Sequence, residues 1–168
     1  LVADGSMIRT YNKSFDKYAV ENGHFNLAMK PGSDFNKIID NLEQNQKITV
    51  QKQFYKEQEV TAGRHKGDTF RIYKDRNALN KISVLSGHLP KHDSEIAIDR
   101  LYAENNDIKI GDAIYVNGQK FKVSGLSAFS DYSAMFRNNA DMMFDAQNFS
   151  VVVVTGKAWD KLGDNGIF

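Results

Sequence analysis

Four histidines are the side chains of this sequence best suited to metal binding and proton transfer. His88 and His92 are four residues apart, a spacing that places two imidazole rings on one face of a helix, as in many zinc sites. Pro90 lies between them, and a proline in a helix interior removes a hydrogen bond and clashes with the preceding turn. His24 and His65 have no second histidine nearby. The histidines therefore predict no metal site.

Nucleophile and carboxylate patterns indicate no catalytic site either. Ser86 lies two residues before His88, but the sequence lacks the Gly-x-Ser-x-Gly pattern that exposes a nucleophilic serine at a sharp turn. The acidic residues form two close pairs, Glu57 with Glu59 and Glu95 with Asp99. Acidic side chains are usually solvated, so we interpret both pairs as surface positions on strand edges. We predict a protein that is not an enzyme and that has no catalytic residues, cofactor or metal.

A different chemistry, binding through adaptable apolar side chains, is indicated in the long connection at 127–148. Methionine side chains rearrange around irregular partners, and a connection of this length usually has structure of its own or a binding role. The candidate partner-binding residues are Met135, Phe136, Met142, Met143 and Phe144. The alternative is that these side chains close the core beneath the connection, and the sequence leaves both interpretations open.

The segment from Lys47 to Lys81 carries nine basic and four acidic residues, although the formal net charge of the whole chain is only +1. Such an excess of positive charge favours contact with an acidic partner or with anionic lipid headgroups. The alternative is a solvated surface, where most charged side chains lie. The small net charge argues against a dedicated nucleic-acid-binding domain.

The elements that must position these residues are organised around the stretch from Val84 to Leu126. Asn117-Gly118 separates two alternating runs, and this pair favours a type I′ hairpin turn because both residues tolerate positive φ. The turn fixes the register of the two strands and therefore the side chains that share a face. The face that we expect to be buried carries Ile114, Val116, Phe121 and Val123.

Periodicity predicts the other elements. Phe35, Ile38, Ile39 and Leu42 recur at helical spacing, and Ser33 precedes them as an N-cap. Alternation predicts strands at 48–50 and 70–73, and Gly63 and Gly67 bracket a hairpin loop between strands. The continuous apolar run at 149–154 is typical of a strand buried on both faces, and a short helix follows through Leu162.

Composition is that of a globular protein. The 168 residues are 41% apolar, include no cysteine and contain no run near the roughly 18 apolar residues of a membrane helix. Disulfides and thiolate metal sites are therefore excluded. The first residue is leucine and no signal peptide follows, which favours a processed chain or an excised fragment.

Several short motifs occur together in one order. They are Ser-Gly-His-Leu-Pro-Lys at 86–91, Glu-Ile-Ala-Ile at 95–98, Ile-Gly-Asp-Ala-Ile-Tyr-Val at 110–116, Phe-Lys-Val-Ser-Gly at 121–125 and Asp-Tyr-Ser-Ala-Met-Phe at 131–136. This arrangement resembles the extracytoplasmic domain of FtsX-like/MacB-like ABC transporter permeases. His88 stands where that family usually has arginine. The resemblance covers mainly residues 84–154, and 18–25 is also similar to the segment after a first membrane helix in such permeases.

The resemblance implies an α+β fold of two lobes, inserted between two membrane helices on the extracytoplasmic face of the cell membrane. A porter-like αβ lobe is expected from residues 1–83 and 127–168, and a β-rich hairpin lobe with its own core from residues 84–126. Such a domain performs no chemistry and couples conformational change to export or signalling of a substrate. Its implied partners are a cytoplasmic ABC ATPase subunit, the membrane helices of the same permease and an extracytoplasmic protein or peptide substrate, and no nucleic acid.

Two structural expectations follow from the insertion. The strand at 149–154 should lie beside a strand from the N-terminal half, and the helix at 35–42 should cover that sheet. The alternative function, of a different class, is a free secreted α+β binding module or a small enzyme of unknown substrate. Membrane helices in the flanking sequence would favour the permease, and a signal peptide with a stop codon would favour the secreted protein.

Overall fold

The computed structural model describes residues 3–21, 34–46, 48–51, 53–76, 78–132 and 145–163. Within these residues the helices are α1 (Ala3–Tyr18), α2 (Phe35–Gln46), α3 (Arg100–Asn105) and α4 (Gly156–Lys161). The strands are β1 (Lys56–Ala62), β2 (Thr69–Lys74), β3 (Ser83–Gly87), β4 (Glu95–Asp99), β5 (Ala113–Val116), β6 (Gln119–Ala128) and β7 (Phe149–Val154). The described residues fall into two compact units, one within Leu1–Val20 and Phe54–Phe168 and one within Glu21–Gln53.

Six of these strands close into a mixed β-barrel in the order β6-β4-β7-β2-β1-β5, because β5 pairs again with β6. The β2–β7 and β4–β6 pairs are parallel and the other pairs are antiparallel. Strand β3 lies outside the ring and pairs with the second half of β6. The predicted two-lobe α+β porter-like fold is therefore wrong, since three strands from each proposed lobe join in one closed barrel.

The physical reason is that the hairpin side chains have no core of their own. Ile114, Val116, Phe121 and Val123 are buried as predicted, but they pack in one cluster with residues of β2 and β7 such as Ile72 and Val152. A two-stranded hairpin is marginally stable alone, and closing the ring removes the sheet edges as well as the apolar face from water. The hairpin is therefore part of the barrel wall.

The hairpin itself is confirmed. Val116 pairs with Gln119 and Ile114 pairs with Phe121, as the Asn-Gly turn predicts. Asn117 has φ of 48° and Gly118 has φ of 75°, the positive values that a type I′ turn requires. Local turn chemistry thus set the register correctly although the surrounding architecture differs.

Short helices cover the two ends of the barrel. Helix α3 follows the carboxyl end of β4 and α4 follows the carboxyl end of β7, and these strands are antiparallel, so the helices lie at opposite ends. Tyr102 of α3 and Trp159 of α4 are both buried in the interior cluster. Asp99 and Thr155 cap the helices by accepting backbone N–H bonds. Both helices therefore complete the core that the strands leave open.

The buried side chain of Lys56 holds α4 against the first residue of β1. Its Nζ donates to the carbonyl oxygens of Trp159, at 2.8 Å, and Leu162. The same Nζ lies 4.1 Å from the centre of the Trp159 ring. A cation at the carboxyl end of a helix satisfies carbonyl groups that have no partner within the helix. Lys56 is therefore a structural cation rather than part of a basic surface.

A second, smaller apolar cluster covers the outside of the barrel wall. It includes Tyr73 of β2, Ala97 of β4 and Val153 of β7, with Phe129 packed over them. This second layer explains why every residue of β7 is buried, as the continuous apolar run predicts. It also places β7 between β2, from the N-terminal half, and β4. The prediction that β7 lies beside a strand from the N-terminal half is thus confirmed.

The unit at Glu21–Gln53 contains α2, and this helix is confirmed. Asp34 caps it, because the N–H of Lys37 donates to Asp34 Oδ1 at 3.2 Å. Ile39 is the buried residue of its apolar stripe. The predicted cap at Ser33 lies outside the described residues. No helix in the described part of the chain combines the length and the apolar composition needed to cross a bilayer.

Candidate functional site

The predicted partner-binding residues Met135, Phe136, Met142, Met143 and Phe144 lie outside the described residues. The structure does describe both flanks of their segment, at 129–132 and 145–148. Each flank is fixed to the barrel by polar side chains. The candidate site is therefore built from these attachments, beginning with the flank that opens the Asp-Tyr-Ser-Ala-Met-Phe motif.

Asp131 forms a buried ion pair with Arg76. Arg76 Nη1 lies 2.7 Å from both carboxylate oxygens of Asp131, and each side chain is only 7% exposed. The Arg76 guanidinium also stacks 4.0 Å from the ring centre of Tyr73 and 5.6 Å from that of Phe129. A planar guanidinium stacks its face on an aromatic ring while the N–H groups at its edge donate to a carboxylate. Burial makes each partner necessary to the other, because removing either one leaves an isolated charge out of water.

Tyr132, the next residue, is bound by a second arginine. Arg71 Nη1 donates to the Tyr132 hydroxyl at 3.1 Å, and that hydroxyl lies 2.7 Å from the hydroxyl of Tyr73. Arg71 Nη2 is 2.7 Å from Glu57 Oε1 across the β1–β2 pair. The Arg71 guanidinium also lies 4.4 Å from the ring centre of Tyr55. Two neighbouring residues of the motif are thus held by Arg71 of β2 and by Arg76, which lies two residues after the end of β2.

Arg71, Tyr73 and Tyr132 form an arginine–tyrosine cluster. The protonation states of its side chains favour a structural role over a catalytic one. Burial, reinforced by the neighbouring Tyr132 hydroxyl, raises the pKa of Tyr73, so its phenol stays protonated. Burial disfavours the charged form of Arg71, but its contacts with Tyr132 and Glu57 outweigh that effect and raise its pKa. A neutral phenol and permanently charged guanidinium groups act as fixed hydrogen-bond partners. The cluster can therefore hold Asp131 and Tyr132 in place.

The other flank is fixed by a carboxylate turn. Asp145 Oδ1 accepts hydrogen bonds from the backbone N–H groups of Asn148, at 2.9 Å, and Gln147, at 3.2 Å. Burial works against ionisation of this carboxyl group, but the bonds from Asn148 and Gln147 lower its pKa overall. The turn leads directly into β7. The end of the segment at residue 145 is thus set by a local ring of hydrogen bonds.

Side chains of α3 bind the same turn. Asn105 Nδ2 donates to the carbonyl of Ala146 at 3.2 Å, and Asn106 Nδ2 donates to that of Gln147 at 3.0 Å. The N–H of Thr69 donates to the carbonyl of Asn148 at 2.8 Å. The two flanks of residues 133–144 therefore attach to different parts of the barrel, one to the outer face of β2 and one to the end covered by α3.

The histidines occupy unrelated positions. His88 is exposed, and its Nδ1 lies 2.8 Å from the carbonyl of Leu89, whereas the exposed His92 uses its backbone N–H to bind Glu95. Among the described residues no group of three or more His, Cys, Asp or Glu side chains could hold a metal ion. His65 lies at the end of the barrel covered by α3, with its Nδ1 3.9 Å from Asp68 Oδ2.

His65 also lines a shallow, open pocket of about 280 Å³ beside the β1–β2 loop, together with Arg64, Asp112 and Tyr115. The polar groups around it are engaged with the protein: Arg64 Nη2 donates to the carbonyl of Asn106 at 2.8 Å, and Tyr102 donates to Asp68 at 2.5 Å. Burial raises the pKa of Tyr102 and the bond to Asp68 adds to the rise. This geometry explains how the predicted glycine-bracketed loop is fixed.

Sequence reasoning missed Arg71 and Arg76, which it grouped with a basic surface segment. The signal that could have found them is the alternation of β2, which places Arg71 and Tyr73 on the face opposite Phe70 and Ile72. The apolar run of β7 predicted burial on both faces. An outer layer that covers β7 must also cover its neighbour β2, which carries Arg71. Contact of the remaining basic residues with an acidic partner or lipid stays a prediction.

No protein-family model, curated protein or solved structure matches this chain.

Proposed function

We propose that this chain is a non-catalytic extracytoplasmic domain of an FtsX-like/MacB-like ABC transporter permease. In this proposal it couples conformational change at the membrane to export or signalling of a substrate. Residues 133–144 contact an extracytoplasmic protein or peptide, and a separate cytoplasmic ABC subunit hydrolyses ATP. The barrel, together with the contacts that hold residues 129–132 and 145–148 to it, carries the movement between the extracytoplasmic partner and the ABC subunit.

Support for the proposal comes first from the ordered motifs between residues 86 and 136. Several of them have a physical role in the fold that is compatible with a rigid transmitting body. Gly87 and Gly125, which lie opposite each other in the β3–β6 pair, allow the two backbones to approach closely, because a methyl group at Gly87 would lie 2.3 Å from the carbonyl oxygen of Ser124 and one at Gly125 would lie 2.5 Å from that of His88. Ser124 Oγ then donates to the carbonyl of His88 at 3.0 Å.

The observation that carries the proposal is the buried Arg76–Asp131 pair. It fixes the first residue of the Asp-Tyr-Ser-Ala-Met-Phe motif to the barrel wall. A binding segment that passes movement from its partner to the barrel must be held rigidly at its base, because a loosely held segment would absorb the displacement. An isolated binding loop has less need of a buried ion pair at its base.

The test begins with the native protein in its own cells. An antibody against the 168-residue chain should label intact cells, and detergent extracts of the membranes should contain the chain in a complex that hydrolyses ATP. Recovery of the chain in a fraction without membranes and without an associated ATPase would reject the proposal.

Coupling is tested in the same complex with matched variants. Asp131→Asn keeps the shape of the side chain and removes the charge of the buried pair, and we expect it to change ATP hydrolysis without loss of the complex. The control is Glu104→Gln, which removes an exposed ion pair with Arg100 on α3, at 2.6 Å. Equal ATPase activity in both variants would show that the buried pair does not take part in coupling.

A further inference from the structure

Among the described residues, strand β3 is paired along one edge and free along the other. It pairs with β6 along one side, from Ser83 to Gly87, and it ends the strand order. None of the residues that the structure describes pairs with its other side. A free strand edge presents a row of backbone N–H and C=O groups that can pair with another extended chain. The barrel removes this exposure for its six strands and leaves it at β3.

The side chains along this edge are apolar and accessible. Val84 is 40% exposed and Leu85 is 50% exposed. Ile110, at 44%, adds to them, because its Cδ1 would lie 2.8 Å from a methyl group placed on Gly87. Ser83–Gly87 contains no charged residue or proline, two of the devices that protect edges, although the strand is short and carries a bulge, which are two others. A bulge at Leu85 interrupts the pairing with β6 but leaves this side chain in solvent.

Positive charge flanks the edge at both ends. No acidic residue occurs between Asp75 and Asp93, whereas Lys81 and Lys91 lie on either side of β3 and are exposed. The end at Ser83 gains another cation from α1, because Ser83 Oγ donates to the Tyr18 hydroxyl at 2.9 Å and Lys17 Nζ lies 5.0 Å from the Tyr18 ring. The short strand, with two exposed apolar side chains, thus lies in the sequence between two exposed lysines.

This charge pattern selects the occupant. Two copies of the chain paired antiparallel through β3 would bring Lys81 of each copy towards Lys91 of the other, and like charges disfavour that pairing. An extended peptide with acidic side chains would gain attraction at both ends and backbone hydrogen bonds between them. We propose that the free edge of β3 binds an extended acidic segment of a partner protein by strand addition. This proposal is independent of the permease assignment, and either can fail alone.

The test uses the full chain and two synthetic eight-residue peptides. Both alternate valine with a charged residue, glutamate in one and lysine in the other. We expect the glutamate peptide to bind at least about tenfold more tightly, to weaken with added salt and to shift the amide NMR signals of Val84–Gly87. Equal binding of both peptides, or binding that leaves these amide signals unchanged, would overturn the proposal.

Variants locate the site and decide the occupant. Leu85→Lys should reduce affinity for the glutamate peptide at least about tenfold, because a charged residue blunts a strand edge. Leu101→Lys is the control, since Leu101 is also an exposed apolar residue, 37% exposed, but lies on α3.

Lys81→Glu combined with Lys91→Glu should reverse the preference between the peptides. Sedimentation that shows a dimer abolished by Leu85→Lys would replace the acidic segment with a second copy and overturn the proposal.

Discussion

At the scale of single residues, burial separates two kinds of ion pair in this protein. Arg76–Asp131 and Arg100–Glu104 are equally close, at 2.7 and 2.6 Å, but the first is almost fully buried and the second is about half exposed. Exposed pairs contribute little because water and salt screen them. A buried pair contributes through the cost of leaving one charge without its partner.

Asp131→Ala should therefore lower the free energy of unfolding by about 3–5 kcal/mol. The double variant with Arg76→Met should recover part of that loss, because the isolated guanidinium is then removed as well. Urea denaturation of both variants measures the effect, and Glu104→Ala is the control, with an expected change below about 1 kcal/mol. A loss in Asp131→Ala no larger than in Glu104→Ala would show that the pair does not fix this flank.

Gly87 combines two constraints that can be separated by mutation. Its φ is +72°, and a methyl group there would overlap the carbonyl oxygen of Ser124. Gly63 has a similar φ of +85° but nothing within 4 Å of the added methyl group. Gly63→Ala should cost about 1–2 kcal/mol for the left-handed backbone alone. Gly87→Ala should cost more than about 3 kcal/mol, measured by thermal or urea unfolding, and equal losses would disprove the close approach of the two backbones.

The residues that sequence reasoning missed have a common cause. Lys56, Arg71 and Arg76 belong to a segment with excess positive charge, which usually indicates surface. The structure buries all three, one beneath α4 and two beneath Phe129 and its neighbours. Long side chains can be covered by segments distant in sequence, and charge counting has no information about such cover.

At the scale of elements, a carboxylate organises the turn that leads into β4. Glu95 Oε2 accepts hydrogen bonds from the N–H groups of Lys91, at 2.8 Å, and His92, at 3.2 Å. The bond from Lys91 is the main reason that the pKa of Glu95 is lowered; desolvation opposes it, and the bond from His92 adds to the lowering. This turn ends the Ser-Gly-His-Leu-Pro-Lys motif.

Because the folded-state pKa is depressed, the stabilisation is complete above the unfolded-state pKa of about 4.3 and is lost as the pH falls through the lower folded-state value. We expect the amide NMR shifts of Lys91 and His92 to change together as the pH falls below the unfolded-state pKa of glutamate, about 4.3. Glu95→Gln should abolish this acid transition. Amide shifts that remain constant at acid pH, or that titrate equally in Glu95→Gln, would contradict this role.

Elements set by local chemistry were the ones that the sequence predicted well. The Asn117-Gly118 hairpin, the loop between Gly63 and Gly67, helix α2 and strand β7 all depend on turn residues or on one periodic run. Their signals lie within about a dozen residues. The outer arginine–tyrosine cluster instead joins β1 and β2 to residues near 130, and no short pattern encodes that contact.

At the scale of the whole molecule, the closed barrel was not predictable from the motifs. Closure depends on the pairing of β5 with β1, in which Val60 lies opposite Val116, more than fifty residues apart in sequence. A family resemblance based on residues 84–154 contains no information on that pairing. The hairpin therefore looked like a separate lobe until its second neighbour was known.

The shared core predicts that the barrel unfolds as one unit. Phe121 of the hairpin is fully buried in the cluster that holds Ile72 of β2 and Val152 of β7. Phe121→Ala should lower the free energy of unfolding by about 3–5 kcal/mol through lost burial and the remaining cavity. Because strands on both sides share that core, amide hydrogen exchange should accelerate equally in β6 and in β7 under conditions of global opening. Leu85→Ala, in the exposed strand β3, is the control and should change neither. Faster exchange confined to β5 and β6 would show that the hairpin opens independently and would restore a separate lobe.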